Sequence, residues 1–189
     1  MNDKRKKLFA ASIMILIGAG IAGCAKSSDD ASQKQVLKLS ASAPLDTIDI
    51  SKATGYGQTG NIFESFYRLG KDGKATPGLA KSGKVSKDGL TWTFKLRNAK
   101  WSNGDKITAD DFVYSWRRSI DPKTESPYAY LFSGVKNADE IAAGKLSTDK
   151  LGIKALDKNT VQVELDKPIA YFKVLLAYPL FGPQNQKFI

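Results

Sequence analysis

Three patterns predict an α/β chain whose main body is an α+β domain, an antiparallel sheet with helices packed against it. Residues 90–97 alternate strictly: Leu90, Trp92, Phe94 and Leu96 fall on one face, and Thr91, Thr93, Lys95 and Arg97 on the other. Thr108 opens a capped amphipathic helix, and two short alternating runs flank Asp157-Lys158-Asn159. Alternation with period two marks a sheet buried on one side only, which is the antiparallel case.

Taken in order, residues 36–40 alternate well enough for a first strand, with Leu37 and Leu39 on one face. Residues 44–60 are rich in Gly, Thr, Asp and Ser and predict loop with short extended pieces. Residues 62–67 suggest a short helix or a passage into a strand, and Lys71-Asp72-Gly73-Lys74 makes a turn. Ser86-Lys87-Asp88-Gly89 turns the chain into the alternating strand at 90–97, and Ser102-Asn103-Gly104 turns it out after Trp101. In the helix after Thr108, Asp110 and Asp111 occupy the first turn and Arg117 and Arg118 the last, so both ends complement the macrodipole. Phe112, Val113, Trp116 and Ile120 share one face, and Asp121-Pro122 stops the run. Residues 138–143 predict a second short helix ended by Gly144. A hairpin of 153–156 and 161–165 follows, with Val161, Val163 and Leu165 inward, and residues 168–176 form a final helix.

Composition removes whole classes of chemistry. There is no histidine, which excludes imidazole bases, Ser-His triads and most transition-metal sites. Ser133/Lys136 and Ser147/Lys150 have Ser-x-x-Lys spacing, but no Lys-Thr-Gly and no Gly-x-Ser-x-Gly elbow accompany them. Asp110 and Asp111 are cap and dipole residues rather than a carboxylate pair for acid–base work. We therefore expect no catalytic residue, no metal, no cofactor and no enzyme. The formal net charge is +10, yet the lysines are spread along the chain. With no zinc-finger spacing, RNA-binding aromatic signature or basic helix, nucleic acid is not an expected partner.

The N-terminus carries an address. Asp3-Lys4-Arg5-Lys6-Lys7 is a basic region, and residues 8–22 are an apolar run ending in small residues. At ~1.5 Å per helical residue the run reaches about 22 Å, short of the ~30 Å hydrocarbon core. Cys24, the one cysteine of the chain, follows Ile21-Ala22-Gly23 directly. The layout resembles bacterial lipoprotein signals, in which this cysteine is lipid-modified and becomes the new N-terminus. Residues 1–23 are then a signal peptide and 24–35, rich in Ser, Asp and Lys, a flexible tether.

From Gly70 to Pro183 the chain resembles the extracytoplasmic solute-binding proteins of oligopeptide ABC importers, family 5, the peptide- and nickel-binding group. The matching residues are Gly78-Leu79-Ala80, Asp88-Gly89-Leu90-Thr91-Trp92-Thr93-Phe94-Lys95-Leu96-Arg97 and Ala99-Lys100-Trp101-Ser102-Asn103-Gly104. Thr108-Ala109-Asp110-Asp111-Phe112-Val113-Tyr114-Ser115-Trp116, Asp121-Pro122, Gly152-Ile153-Lys154-Ala155 and Pro168-Ile169-Ala170-Tyr171-Phe172 extend the run. Ser126-Pro127-Tyr128-Ala129 points to the oligopeptide branch. Most of this signature reads as structural, with Trp92, Phe94, Trp101, Phe112 and Trp116 as core.

The resemblance implies a periplasmic-binding-protein-like class II fold, here truncated, with no enzymatic activity. Residues 36–62 are expected to be the first segment of lobe I, 63–181 a small inserted domain, and 182–189 a truncated return to lobe I. Family members clamp an extended peptide between two lobes, which implies ligand contacts at Thr54, Gly55, Tyr56 and Tyr128. The implied partners are oligopeptides, the permease subunits of an ABC importer, and the extracytoplasmic face of the membrane through the lipid on Cys24. With one jaw of the clamp, binding by this chain alone is expected to be weak, and the segment up to residue 62 poorly held. The alternative is a remnant or a surface lipoprotein with a docking role and no ligand.

Overall fold

The computed structural model describes residues 36–38, 40, 41 and 44–189. The expected signal peptide, Cys24 and the expected tether lie outside the described residues. The chain divides into two compact units, Met1–Ser40 and Ala41–Ile189. In the first, Val36 and Leu37 are exposed and no described residue of the predicted strand at 36–40 is in a strand.

The second unit opens with residues 44–58, free of strand and helix, and a single 3-10 turn, Thr59–Asn61. Strands β1 (Tyr67–Leu69) and β2 (Ala75–Pro77) then form a small antiparallel hairpin. Its turn is built by Asp72, whose carboxylate accepts the Lys74 N–H at 3.1 Å, and by Gly73 at φ +73°. The main sheet follows: β3 (Ala80–Val85), β4 (Thr91–Leu96), β5 (Ile153–Asp157) and β6 (Thr160–Glu164), in spatial order β3-β4-β6-β5 and antiparallel throughout.

Register explains the alternation. Trp92 pairs with Val163 and Phe94 with Val161, so their side chains form one inner row. Thr91, Thr93 and Lys95 face Glu164, Gln162 and Thr160 on the other side. Strand β3 has no apolar stripe to announce it. Its alanine, serine, glycine and lysines make it a mostly exposed edge, and a β-carbon on Gly83 would collide with the Tyr67 hydroxyl and the Phe94 ring.

Helix α1 (Ala109–Ile120) lies across β5 and β6. Its start is fixed by the Asp111 carboxylate, which accepts the Thr108 N–H at 2.7 Å and the Thr108 hydroxyl at 3.1 Å. Phe112, Trp116 and Ile120 are fully buried. At the far end Asp121 turns extended, and its carboxylate accepts the Lys123 N–H at 2.9 Å across Pro122. Helix α2 (Ala138–Ala142) ends before Gly144 at φ +70°. The final helix, α3 (Phe172–Leu175), is shorter than the 168–176 expected. It starts at Phe172, with Tyr171 at its N-cap, four residues beyond Pro168.

The core is aromatic. Phe66, Phe94, Phe112, Trp116, Phe132, Phe172 and Phe181 are all fully buried. Two expected core residues depart from this. Trp92 is half-buried, held between Phe94 and Phe172, while Trp101 lies outside the core cluster and lines a surface groove of about 430 Å³ with Ile48, Phe63 and Phe188. In the segment expected to be poorly held, Ile50, Ser51, Ala53 and Thr59 are buried, while Val36, Leu37, Leu45, Ile48 and Ile62 are exposed. Side chains rather than strand partners hold the buried part.

Candidate functional site

The clearest concavity carrying predicted ligand residues is a tyrosine-lined cleft of about 610 Å³. Tyr56 reaches it from the N-terminal loop, Tyr128 and Tyr130 from the turn after α1, Leu69 from β1, and Tyr178 and Pro179 from the segment after α3. The Tyr56 and Tyr128 rings stand 5.3 Å apart, tilted by 44°, and Tyr130 lies 6.2 Å beyond Tyr128. These separations fall in the range of favourable aromatic contact.

Local chemistry fixes each ring. The Tyr56 hydroxyl donates to the Ile50 carbonyl at 2.8 Å, and the Tyr128 hydroxyl to the Thr54 carbonyl at 2.7 Å. Thr54 is itself pinned, its N–H and hydroxyl donating to the Asp46 carboxylate at 2.7 and 2.6 Å. These bonds hold the Asp46 carboxyl below the ordinary range, the Thr54 hydroxyl contributing most. Burial of the half-covered Tyr56 pushes its phenol well above the ordinary range. The Tyr56 phenol therefore stays protonated at neutral pH, and the hydroxyls of both Tyr56 and Tyr128 are committed to main-chain carbonyls. What they offer a ligand is ring surface and an oxygen lone pair that can accept an N–H.

The four residues expected to meet ligand are thus brought together, in different roles. Tyr56 and Tyr128 line the cleft; Thr54 and Gly55 do not. Thr54 acts as a support through its carbonyl, and Gly55 faces open space, since a β-carbon there would meet nothing within 4 Å. Close backbone approach within this chain is therefore not what Gly55 provides. Tyr130, Tyr178 and Leu69 went unnoticed in the sequence. They are 66%, 44% and 52% exposed, an unusual degree for large side chains, but exposure has no sequence pattern to reveal it.

Among the described residues no group of three or more His, Cys, Asp or Glu could hold a metal, and no helix is long and apolar enough to cross a membrane.

Comparison with known proteins fits this geometry. Residues 74–188 match the bacterial extracellular solute-binding proteins, family 5 middle. A dipeptide-binding protein of Lactococcus lactis is 44% identical over 188 residues, covering 98% of this chain and 34% of that protein. The periplasmic oligopeptide-binding protein OppA of Escherichia coli is 38% identical over 191 residues, covering 96% and 35%. The structure of Listeria monocytogenes OppA bound to peptide superimposes with a TM-score of 0.78 at 46% identity, over 83% of this chain and 32% of that one. The chain spans about a third of the length of these relatives. Its fold is accordingly an α/β portion of the class II periplasmic-binding-protein architecture. Members of the matched family are solute-binding proteins, not enzymes. By the match over residues 74–188, this chain belongs to the bacterial extracellular solute-binding proteins of family 5.

Proposed function

We propose that this chain is part of an oligopeptide receptor serving an ABC importer at the extracytoplasmic face of the cell membrane, with the tyrosine cleft as one wall of the peptide site. The paired rings of Tyr56 and Tyr128 carry this reading. Paired aromatic rings accept varied side chains by area rather than by shape, and hydroxyl oxygens whose O–H already donates to a carbonyl keep a lone pair to accept peptide N–H groups. The names of the relatives, which include both dipeptide- and oligopeptide-binding proteins, support a peptide ligand and leave its length open. In this reading the opposing wall belongs to the two thirds of the relatives that this chain does not span, and residues 63–181 are the small domain beside lobe I.

The cleft is open, so a peptide on it keeps much of its surface in water, and binding by the 189-residue chain alone is weak. Isothermal titration with a library of short peptides tests this. Weak, tyrosine-dependent binding is expected; tight saturable binding by the chain alone would contradict the single-wall reading.

The same proposal places a lipid on Cys24, supported by the basic and apolar residues before it. Metabolic labelling with a tagged fatty acid is expected to mark the wild-type chain and not Cys24→Ala. A label that survives the substitution would remove the anchor from the account.

A further inference from the structure

A polar clasp lies outside the tyrosine cleft. Arg118, in the last turn of α1, donates from Nη1 to Asp49 Oδ1 at 2.7 Å and from Nη2 to Asp49 Oδ2 at 2.5 Å. The same Nη1 reaches Gln184 Oε1 at 3.0 Å. Gln184 Nε2 donates to Ser51 Oγ at 2.6 Å, and Ser51 Oγ stands 2.7 Å from Ser119 Oγ. Ser51, Ser119 and Gln184 are 0%, 0% and 4% exposed. Three segments far apart in sequence are tied by one network. A buried network with every member satisfied holds geometry more firmly than exposed pairs do.

The position of this network gives it a consequence for the cleft. Asp49 and Ser51 flank Ile50, whose carbonyl holds the Tyr56 hydroxyl. The loop that carries Tyr56 has no strand partners and only one 3-10 turn, so the clasp sets where that carbonyl sits. Tyr56 in turn packs on Tyr128, whose hydroxyl holds Thr54 of the same loop. None of the clasp side chains lines the cleft.

We propose that Arg118 and Gln184 are positioning residues for the tyrosine cleft: through the backbone of Asp49, Ile50 and Ser51 they set the pose of Tyr56 and Tyr128, and so the affinity for ligand. The last clause rests on the peptide reading above; the first does not. The clasp also makes the cleft sensitive to the segment around Gln184, because displacing that side chain removes partners from Ser51 and Arg118 together.

The test uses the full chain with 3-fluorotyrosine at its seven tyrosines, followed by fluorine NMR without ligand. Tyr56→Phe and Tyr128→Phe assign their resonances. Gln184→Ala and Arg118→Lys are expected to shift or broaden the Tyr56 and Tyr128 lines while those of Tyr67 and Tyr171 stay in place. Gln184→Glu is expected to restore them, since a carboxylate oxygen can accept from Arg118 while the Ser51 hydroxyl turns to donate to it. Unmoved Tyr56 and Tyr128 lines in the folded variants, or all lines moving together, would overturn the assignment. Should either variant fail to fold, Ser119→Ala breaks the same network with less loss of packing and decides it. In parallel, short-peptide affinity is expected to fall about threefold to tenfold in the variants. If the wild-type chain binds no peptide, the peptide reading fails while the fluorine spectra still decide the clasp.

Discussion

The indole N–H of Trp116 donates to the carbonyl oxygen of Phe181 at 3.0 Å, and the ring is fully buried against Phe66, Phe132 and Phe181. One side chain thus locks α1 to the segment after α3, the segment that brings Tyr178 to the cleft. Trp116→Ala opens a large cavity and is expected to destabilise the chain by about 3–5 kcal/mol. Trp116→Phe fills more of the space but leaves a buried carbonyl without its donor, an expected loss of about 1–3 kcal/mol. Urea denaturation of the three proteins checks both. Near-equal midpoints would mean that the ring is not a lock.

Gly83 supplies a second, more local test. A β-carbon there meets the Tyr67 hydroxyl and the Phe94 ring, so Gly83→Ala is expected to cost about 1–3 kcal/mol through overpacking. Removing the hydroxyl with Tyr67→Phe relieves part of the clash, and the double variant is expected to be more stable than the sum of the single losses implies. Strict additivity in a double-mutant cycle would show that the two groups do not meet.

Acid sensitivity follows from Asp49. Burial by itself would raise its carboxyl, but the hydrogen bonds from Arg118 and the Ser51 N–H override that and hold it below its ordinary value of 3.8. A carboxyl whose pKa is lower in the folded chain gives stability that is present above its unfolded pKa. That stability is lost as the pH falls through the folded value. Wild-type stability is therefore expected to drop on acidification from about pH 4 downward, and Asp49→Asn to flatten that limb while lowering stability at pH 7. Asp111 runs the other way. Burial raises its carboxyl, so its contribution is present at low pH and declines as pH rises, and Asp111→Asn removes that decline while its amide oxygen still accepts from Thr108. Chemical denaturation at stepped pH measures both signs.

Elements with one buried face and a punctuating turn were legible in the sequence: β4, the β5–β6 hairpin and α1 lie where alternation, helical spacing and the Thr108 cap put them. Strand β3 was not, because an exposed edge built from lysine, serine and glycine has no apolar period, and Gly83 is there for space rather than for a turn. At 36–40 alternation was present, but no described residue of that run is in a strand. For the site, Tyr56 and Tyr128 were found by resemblance, but their contact depends on two segments separated by the whole of β1–β4 and α1. The Asp49–Arg118–Gln184 clasp was invisible, since polar residues far apart in sequence carry no periodic sign of meeting.

Tyr128 separates support from contact. Its hydroxyl bond to Thr54 is exposed, so Tyr128→Phe is expected to cost about 0.5–1.5 kcal/mol of stability at most. Tyr128→Ala additionally removes the ring from the cleft and is expected to lower peptide affinity while leaving the fold intact. Thermal denaturation beside titration distinguishes the two effects. Equal affinities for the Phe and Ala variants would deny the ring a role.

Photocrosslinking tests the central claim most directly. A short peptide carrying a photoreactive side chain is irradiated with the full chain and the adducts are mapped by mass spectrometry. The account predicts adducts on Tyr56, Tyr128, Tyr130 and Tyr178, suppressed by excess unlabelled peptide. Competable adducts confined to other surfaces, such as the groove at Trp101 and Phe188, would contradict it.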